Sequence, residues 1–165
     1  MIIEGNAVIL GDNIDTDQIY PGRYLPITEP VEMAEHAFEG IIPDFKKKAK
    51  GSIIIAGRNF GCGSSREQAA TALKYAGVTG IVAISFARIF YRNAINQGLP
   101  VTIGHDFYGR VDDGDRLRID LKNGGIEDLD KNLNFKGDPL PDFLLDIIEK
   151  GGLIPSLKER LGGTR

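Results

Sequence analysis

Cysteine is nearly absent from this 165-residue chain, where Cys62 stands alone. One thiol excludes an internal disulfide, excludes any site needing several thiolates of this chain, and points to a reducing compartment. Histidine is as scarce. His36 and His105 lie far apart and give no metal-ligand spacing, so no metal site is expected. No apolar run approaches the length of a membrane span. Glu4 interrupts the stretch where a secretory leader would be apolar, so the expected location is cytoplasmic. Excess positive charge is also missing. A formal net charge of −3 gives nucleic acid or an anionic membrane nothing general to hold. The nearest basic run, Lys46, Lys47, Lys48 and Lys50, reads as a solvated face.

What remains is the composition of an ordinary globular protein, long enough for one domain (1–165) with its own core. Along the chain, Ala7 to Leu10 reads as a strand. The polar loop Gly11 to Asp17 follows. It holds three aspartates but lacks the glycine and closing glutamate of an EF-hand. Val31 to Phe38 reads as a short helix ended by Gly40. Ser52–Ala56, Gly80–Ser85 and Leu99–Ile103 read as buried strands. Helices at Glu67–Ala76 and Ala87–Gln97 separate them, stopped by Gly77 and Gly98. Strand, helix, strand, helix, strand implies a parallel sheet. The alternation of Asp115 to Leu121, then Asn123-Gly124 and Ile126 to Leu129, is a hairpin signal and adds antiparallel strands. A last helix is expected over Pro141–Lys150.

The segment most informative about chemistry is Gly57-Arg-Asn-Phe-Gly-Cys-Gly-Ser-Ser-Arg66 between a strand and a helix. Ser64 and Glu67 fit a capping box, which would start the helix near Ser64 or Ser65. Glycines 57, 61 and 63 would let the backbone approach a ligand, and Arg66 adds a fork suited to a carboxylate. Together these parts describe an anion site. It is not a nucleotide phosphate loop, because Gly63-Ser64-Ser65-Arg66 lacks Gly-Lys-Ser/Thr. It is not a dinucleotide fingerprint, because Arg66 stands where the third glycine belongs. The plain reading makes Ser64 a helix cap, Arg66 a solvated charge and Cys62 an inert thiol. A thiolate nucleophile at Cys62, favoured by a nearby helix N-terminus, stays open.

Three blocks in order carry a resemblance. Gly61-Cys-Gly-Ser-Ser-Arg-Glu-Gln-Ala-Ala70, Asp15-Thr-Asp-Gln-Ile19, and Ser85-Phe-Ala-Arg-Ile-Phe90 with Asn93 and Gly98-Leu99 resemble segments of the aconitase superfamily. A free chain of this size is similar to the superfamily's separate small subunits. The resemblance implies an α/β fold, a swivelling three-layer β/β/α domain with a central parallel sheet and an added antiparallel sheet. It implies a hydro-lyase that isomerises 2- and 3-isopropylmalate by dehydration and rehydration. The [4Fe–4S] cluster would be bound by a large-subunit partner and not by this chain, and would act as a Lewis acid on the departing hydroxyl.

By the same resemblance Ser64 is the catalytic base, and Ser65 and Arg66 bind substrate. Tyr24, Leu25, Pro26, Ile27 and Thr28 form a specificity loop. Asp17, Gln18, Gly61, Cys62 and Gly63 line the site. Gln18 and Gln68 replace histidines common in full-length aconitases. Tricarboxylate-specific relatives carry an arginine after the aromatic-Leu pair, whereas Pro26-Ile27-Thr28 offers none, which favours an apolar substituent. A homoaconitate or methylated-malate dehydratase is the alternative within the family. A non-catalytic anion-binding module is the alternative outside it.

Overall fold

Every residue of β2 (Ser52–Ala56) is buried. A strand shielded on both faces needs neighbours at both edges and cover above and below. β1 (Ile2–Ile9) and β3 (Val78–Ala83) supply the edges, both parallel to it, and β4 (Val101–His105) extends the sheet in the same sense. The crossovers are α4 (Glu67–Ala76), which buries Ala69 to Leu73, and α5 (Arg88–Asn96), which buries Phe90, Ala94 and Ile95. Gly77 ends α4 in the left-handed region at φ +101°, as its place after an alanine-rich run suggested. In this computed structural model residues 1–162 are described, so the expected domain limit at residue 165 lies outside the described residues.

The expected hairpin is present as β5 (Arg116–Asp120) and β6 (Gly125–Asp128), followed by a third antiparallel strand, β7 (Leu133–Gly137). These strands do not form a detached layer. β1 pairs antiparallel with β5, and β4 with β7, so the order β1-β2-β3-β4-β7-β6-β5 closes on itself. The physical gain is the loss of both exposed sheet edges. Leu117, Ile119 and Ile126 from this half and Ile53 to Ala56 from the parallel half belong to one core cluster.

The remaining elements are short. α1 (Thr16–Ile19) opens on a capping box in which Asp15 accepts from the Gln18 N–H and Gln18 accepts from the Asp15 N–H, both at 2.9 Å. A 3-10 turn (Gly22–Tyr24) follows. α2 (Pro30–Ala34) is shorter than the expected 31–38. Phe38 adopts φ +54° and buries its ring edge-on against Phe45, 4.9 Å away, which ends any helix there. α3 (Phe45–Ala49) buries Phe45 and Ala49 and turns Lys46, Lys47 and Lys48 to solvent. α6 (Asp142–Glu149) matches the expected helix, but it is not the last. α7 (Leu153–Gly162) follows after Gly151-Gly152.

Candidate active site

The loops that leave the carboxyl ends of β1, β2 and β3 stay in register beyond the sheet. Single parallel bridges join Asp15 to Cys62 and Phe60 to Phe86. The Gly61 N–H donates to Ile14 O at 2.7 Å, Thr16 N–H to Cys62 O at 2.9 Å, and Ala87 N–H to Phe60 O at 2.9 Å. The crevice at the carboxyl end of parallel strands is where open α/β sheets place ligands. Here it is a cleft of about 220 Å³ lined by Thr16, the Gly61 to Arg66 loop without Cys62, Ala87 to Phe90, and Asn93.

Ser64 and Ser65 are exposed on the cleft wall, and neither hydroxyl makes a hydrogen bond among the described residues. Ser64 is held by its backbone instead, since its carbonyl accepts from Thr16 Oγ1 at 2.6 Å. The expected capping box does not form. The residue at the cap of α4 is Arg66, at φ −137° and ψ 107°, with no side-chain cap bond. The reason lies in the partners. Glu67 accepts from Gln97 Nε2 at 2.8 Å, so its carboxylate is turned to α5 rather than back to Ser64. Ser64 thus stands two residues before the cap of α4 with its hydroxyl uncommitted.

Arg66 is the fixed charge of the wall, its side chain only 18% exposed. Its Nη1 donates to Asp17 Oδ1 at 2.7 Å and to Tyr20 O at 3.1 Å. Asp17 also accepts from the Gly22 N–H at 2.9 Å. The Arg66 guanidinium, then the Gly22 N–H, holds the Asp17 carboxyl below the ordinary carboxylate range. Asp17 therefore stays ionised and keeps the guanidinium in place wherever the protein works near neutrality.

The structure brings together Ser64, Ser65, Arg66, Gly61 and Gly63, with Asp17 in direct contact with Arg66. The other expected site residues lie elsewhere. Gln18 is spent in the α1 capping box. Cys62 is half-buried behind the cleft wall, its backbone tied to the Asp15–Thr16 segment. Tyr24 to Thr28 do not line the cleft. Tyr24 stacks on His36 with ring centroids 3.6 Å apart, and its carbonyl accepts from the buried Tyr20 hydroxyl at 2.6 Å. Arg23 lies over the Tyr24 ring and pairs with Glu39 at 2.8 Å. The loop connects to the cleft through Gly22, Asp17 and Arg66. Thr16, Arg88, Ile89, Phe90 and Asn93 line the cleft without having been expected there as site residues. Thr16 stands in the Asp15–Ile19 block, and the other four stand in the Ser85–Phe90 block with Asn93, which reads as a resemblance until the Phe60–Phe86 bridge places it on the cleft.

Comparison with known proteins agrees with this geometry. The aconitase C-terminal domain family matches residues 11–105, the span that builds the cleft. A 3-isopropylmalate dehydratase small subunit of Pyrobaculum calidifontis is 52% identical over 97% of this chain and 99% of its own length. A methanogen homoaconitase small subunit of Methanothermobacter thermautotrophicus is 53% identical over 93% of this chain and 89% of its own length. A crystal structure of 3-isopropylmalate dehydratase from Methanocaldococcus jannaschii superposes with a TM-score of 0.90 at 48% identity, covering 97% of this chain and 95% of that one. With the Ser64–Arg66 cleft inside the matched span and the likeness running almost end to end, this chain belongs to the aconitase C-terminal domain family.

Proposed function

We propose that this chain is the small subunit of a hydro-lyase that interconverts 2-isopropylmalate and 3-isopropylmalate, working with a large subunit that carries the iron–sulfur cluster. The observation that carries the reading is the uncommitted hydroxyl pair of Ser64 and Ser65 on the cleft wall beside an anchored Arg66. The small-subunit names of its relatives support the partner. The chain would act as one swivelling unit that closes the cleft over the substrate and excludes water.

In this reading Ser64 Oγ takes the proton from the carbon next to a substrate carboxylate. The C–H electron pair becomes the new double bond, and the hydroxyl on the adjacent carbon leaves with its own pair. Adding water across that double bond in the opposite sense, with Ser64 returning the proton, gives the isomer. A serine alkoxide is a competent base only where its charge is stabilised, and the Arg66 guanidinium is the local group able to do so. A cluster takes several thiolates. Cys62 is the chain's one thiol, and among the described residues no group of three or more His, Cys, Asp or Glu side chains is arranged for a metal. The residues of this chain do not fit the cluster.

Homoaconitate is the second reading, favoured by the relative at 53% identity. The specificity loop argues against it. Pro26, Ile27 and Thr28 carry no cation, and the nearby Arg23 is already engaged by Glu39 and Tyr24. An anion-binding module without catalysis, or a thiol enzyme, is separated by mutation. In the complex with its large subunit, Ser64→Ala should lower turnover by at least about 10²-fold, the scale of general base catalysis. The melting temperature should hold, because Ser64 caps nothing. Cys62→Ala should leave turnover intact. Near-normal turnover of Ser64→Ala would remove Ser64 from the chemistry.

A further inference from the structure

We propose that Arg88 is a second carboxylate-binding residue of the cleft, taking the substrate carboxylate that Arg66 does not. This rests on the hydro-lyase reading, whose substrates carry at least two carboxylates. Arg66 is partly spent inside the protein, since its Nη1 serves both Asp17 and Tyr20 O. Arg88 lines the same cleft, is exposed, and makes no ion pair or hydrogen bond among the described residues.

Local structure does not account for Arg88. It is the first residue of α5, where the helix presents its positive dipole end and its unpaired N–H groups. A cation there is electrostatically misplaced. The first turn of α5 holds no acidic residue, and Ala87 gives no side-chain cap. A helix start with a basic residue, no acid and no cap is a poor design for stability. It suits a carboxylate that arrives from outside and satisfies guanidinium and N–H groups together. Asn93, further along α5 and also lining the cleft, adds an amide for the same ligand. With Arg66 and the two serines on the facing loop, a dicarboxylate would span from one arginine to the other, its reacting carbons next to Ser64.

The test compares wild type with Arg88→Ala and Arg88→Lys in the complex with the large subunit. Arg88→Ala should raise KM for isopropylmalate roughly 10–100-fold, the worth of one charge-assisted interaction, with kcat changed much less. Lysine should recover part of the loss, and Ki for the competitive dicarboxylate malonate should rise in parallel. The melting temperature should not fall, since the side chain holds nothing in place. A second arm uses the full chain alone and follows amide resonances of residues 64–66 and 88–93 during a malonate titration. Malonate should move both segments in wild type and lose its effect in Arg88→Ala. A KM within twofold of wild type in an active complex overturns the inference. An inactive wild-type complex would instead overturn the hydro-lyase reading. The titration then decides about Arg88, which fails if malonate moves neither segment or moves them equally in both chains.

Discussion

Gly61 takes φ +83° and lies so close to Phe90 that a Cβ would overlap the Cβ and Cγ of that ring. Gly57 similarly leaves no room for a Cβ against Asp12, whose Oδ1 accepts from the Arg58 N–H at 2.7 Å. Glycines that read as room for a ligand are, at these two positions, room for the protein's own side chains. Gly61→Ala should therefore cost about 2–4 kcal/mol, combining the strained backbone with an overpacked ring. Urea unfolding of the chain measures it, and a change below about 0.5 kcal/mol would mean that Phe90 moves aside freely. The serine and arginine positions were legible because their order in the loop fixes them side by side. Arg88 and Asn93 stood in a block of resemblance with no place in the site, because they reach the cleft through a bridge between loops 26 residues apart, from Phe60 to Phe86, which no local pattern encodes.

At the scale of elements, long buried strands and helices with clear stops were readable, and β2 and α4 fall on their expected limits. Caps were not. The serine–glutamate spacing at α4 formed no box, while an aspartate–glutamine box formed at α1, because tertiary partners chose which side chains were free. The β5–β6 hairpin carries a polar feature equally hidden from pattern. Asp128 is buried, with Oδ1 accepting from the Asp130 and Lys131 N–H groups at 3.1 and 3.0 Å, while Oδ2 meets no donor. Burial, and then its contact with Asp115, pushes Asp128 above the ordinary carboxylate range, and the same contact, followed by the Asp112 N–H, holds Asp115 below it. Of the two carboxyls, Asp128 is thus the later to ionise as pH rises. As pH rises above about 4, the unfolded chain gives up that proton and the folded chain keeps it, so Asp128 makes stability fall with rising pH until its folded-state pKa is passed. Asp115 acts in the opposite direction, its contribution being lost as pH drops below the ordinary range. Asp128→Asn keeps the acceptor, supplies a permanent donor to Asp115 and stays neutral in both states. It should flatten the decline that begins as pH rises above the ordinary carboxylate range, because the amide has no proton to lose in either state. A variant whose stability falls with rising pH as steeply as that of wild type would refute the raised Asp128 pKa.

At the scale of the whole molecule, closing seven strands into one sheet fixes three loops at one end and leaves the Tyr24 to Thr28 segment beside the cleft rather than in it. In the proposed hydro-lyase that segment would reach substrate only from the rim, with a partner completing the enclosure. It is positioned by the chain of contacts from Tyr20 and Gly22 through Asp17 to Arg66. The two residues that would read the substituent differ in their freedom. Ile27 is half-buried and packs on the core, so arginine there would disturb packing as well as charge. Thr28 is exposed and can change without that cost. An isopropyl group against an apolar rim gains roughly 1–2 kcal/mol, whereas a carboxylate in the same place loses hydration with no cation to meet it. Thr28→Arg supplies that cation, and a guanidinium can hold a carboxylate through two charge-assisted bonds. In the complex, the ratio of kcat/KM for homoaconitate over isopropylmalate should rise by about 10–100-fold, with folding unaffected. A ratio that stays at the wild-type value would place substrate choice in the large subunit or at Arg23, and the rim segment would then be only the far end of the brace that steadies Arg66.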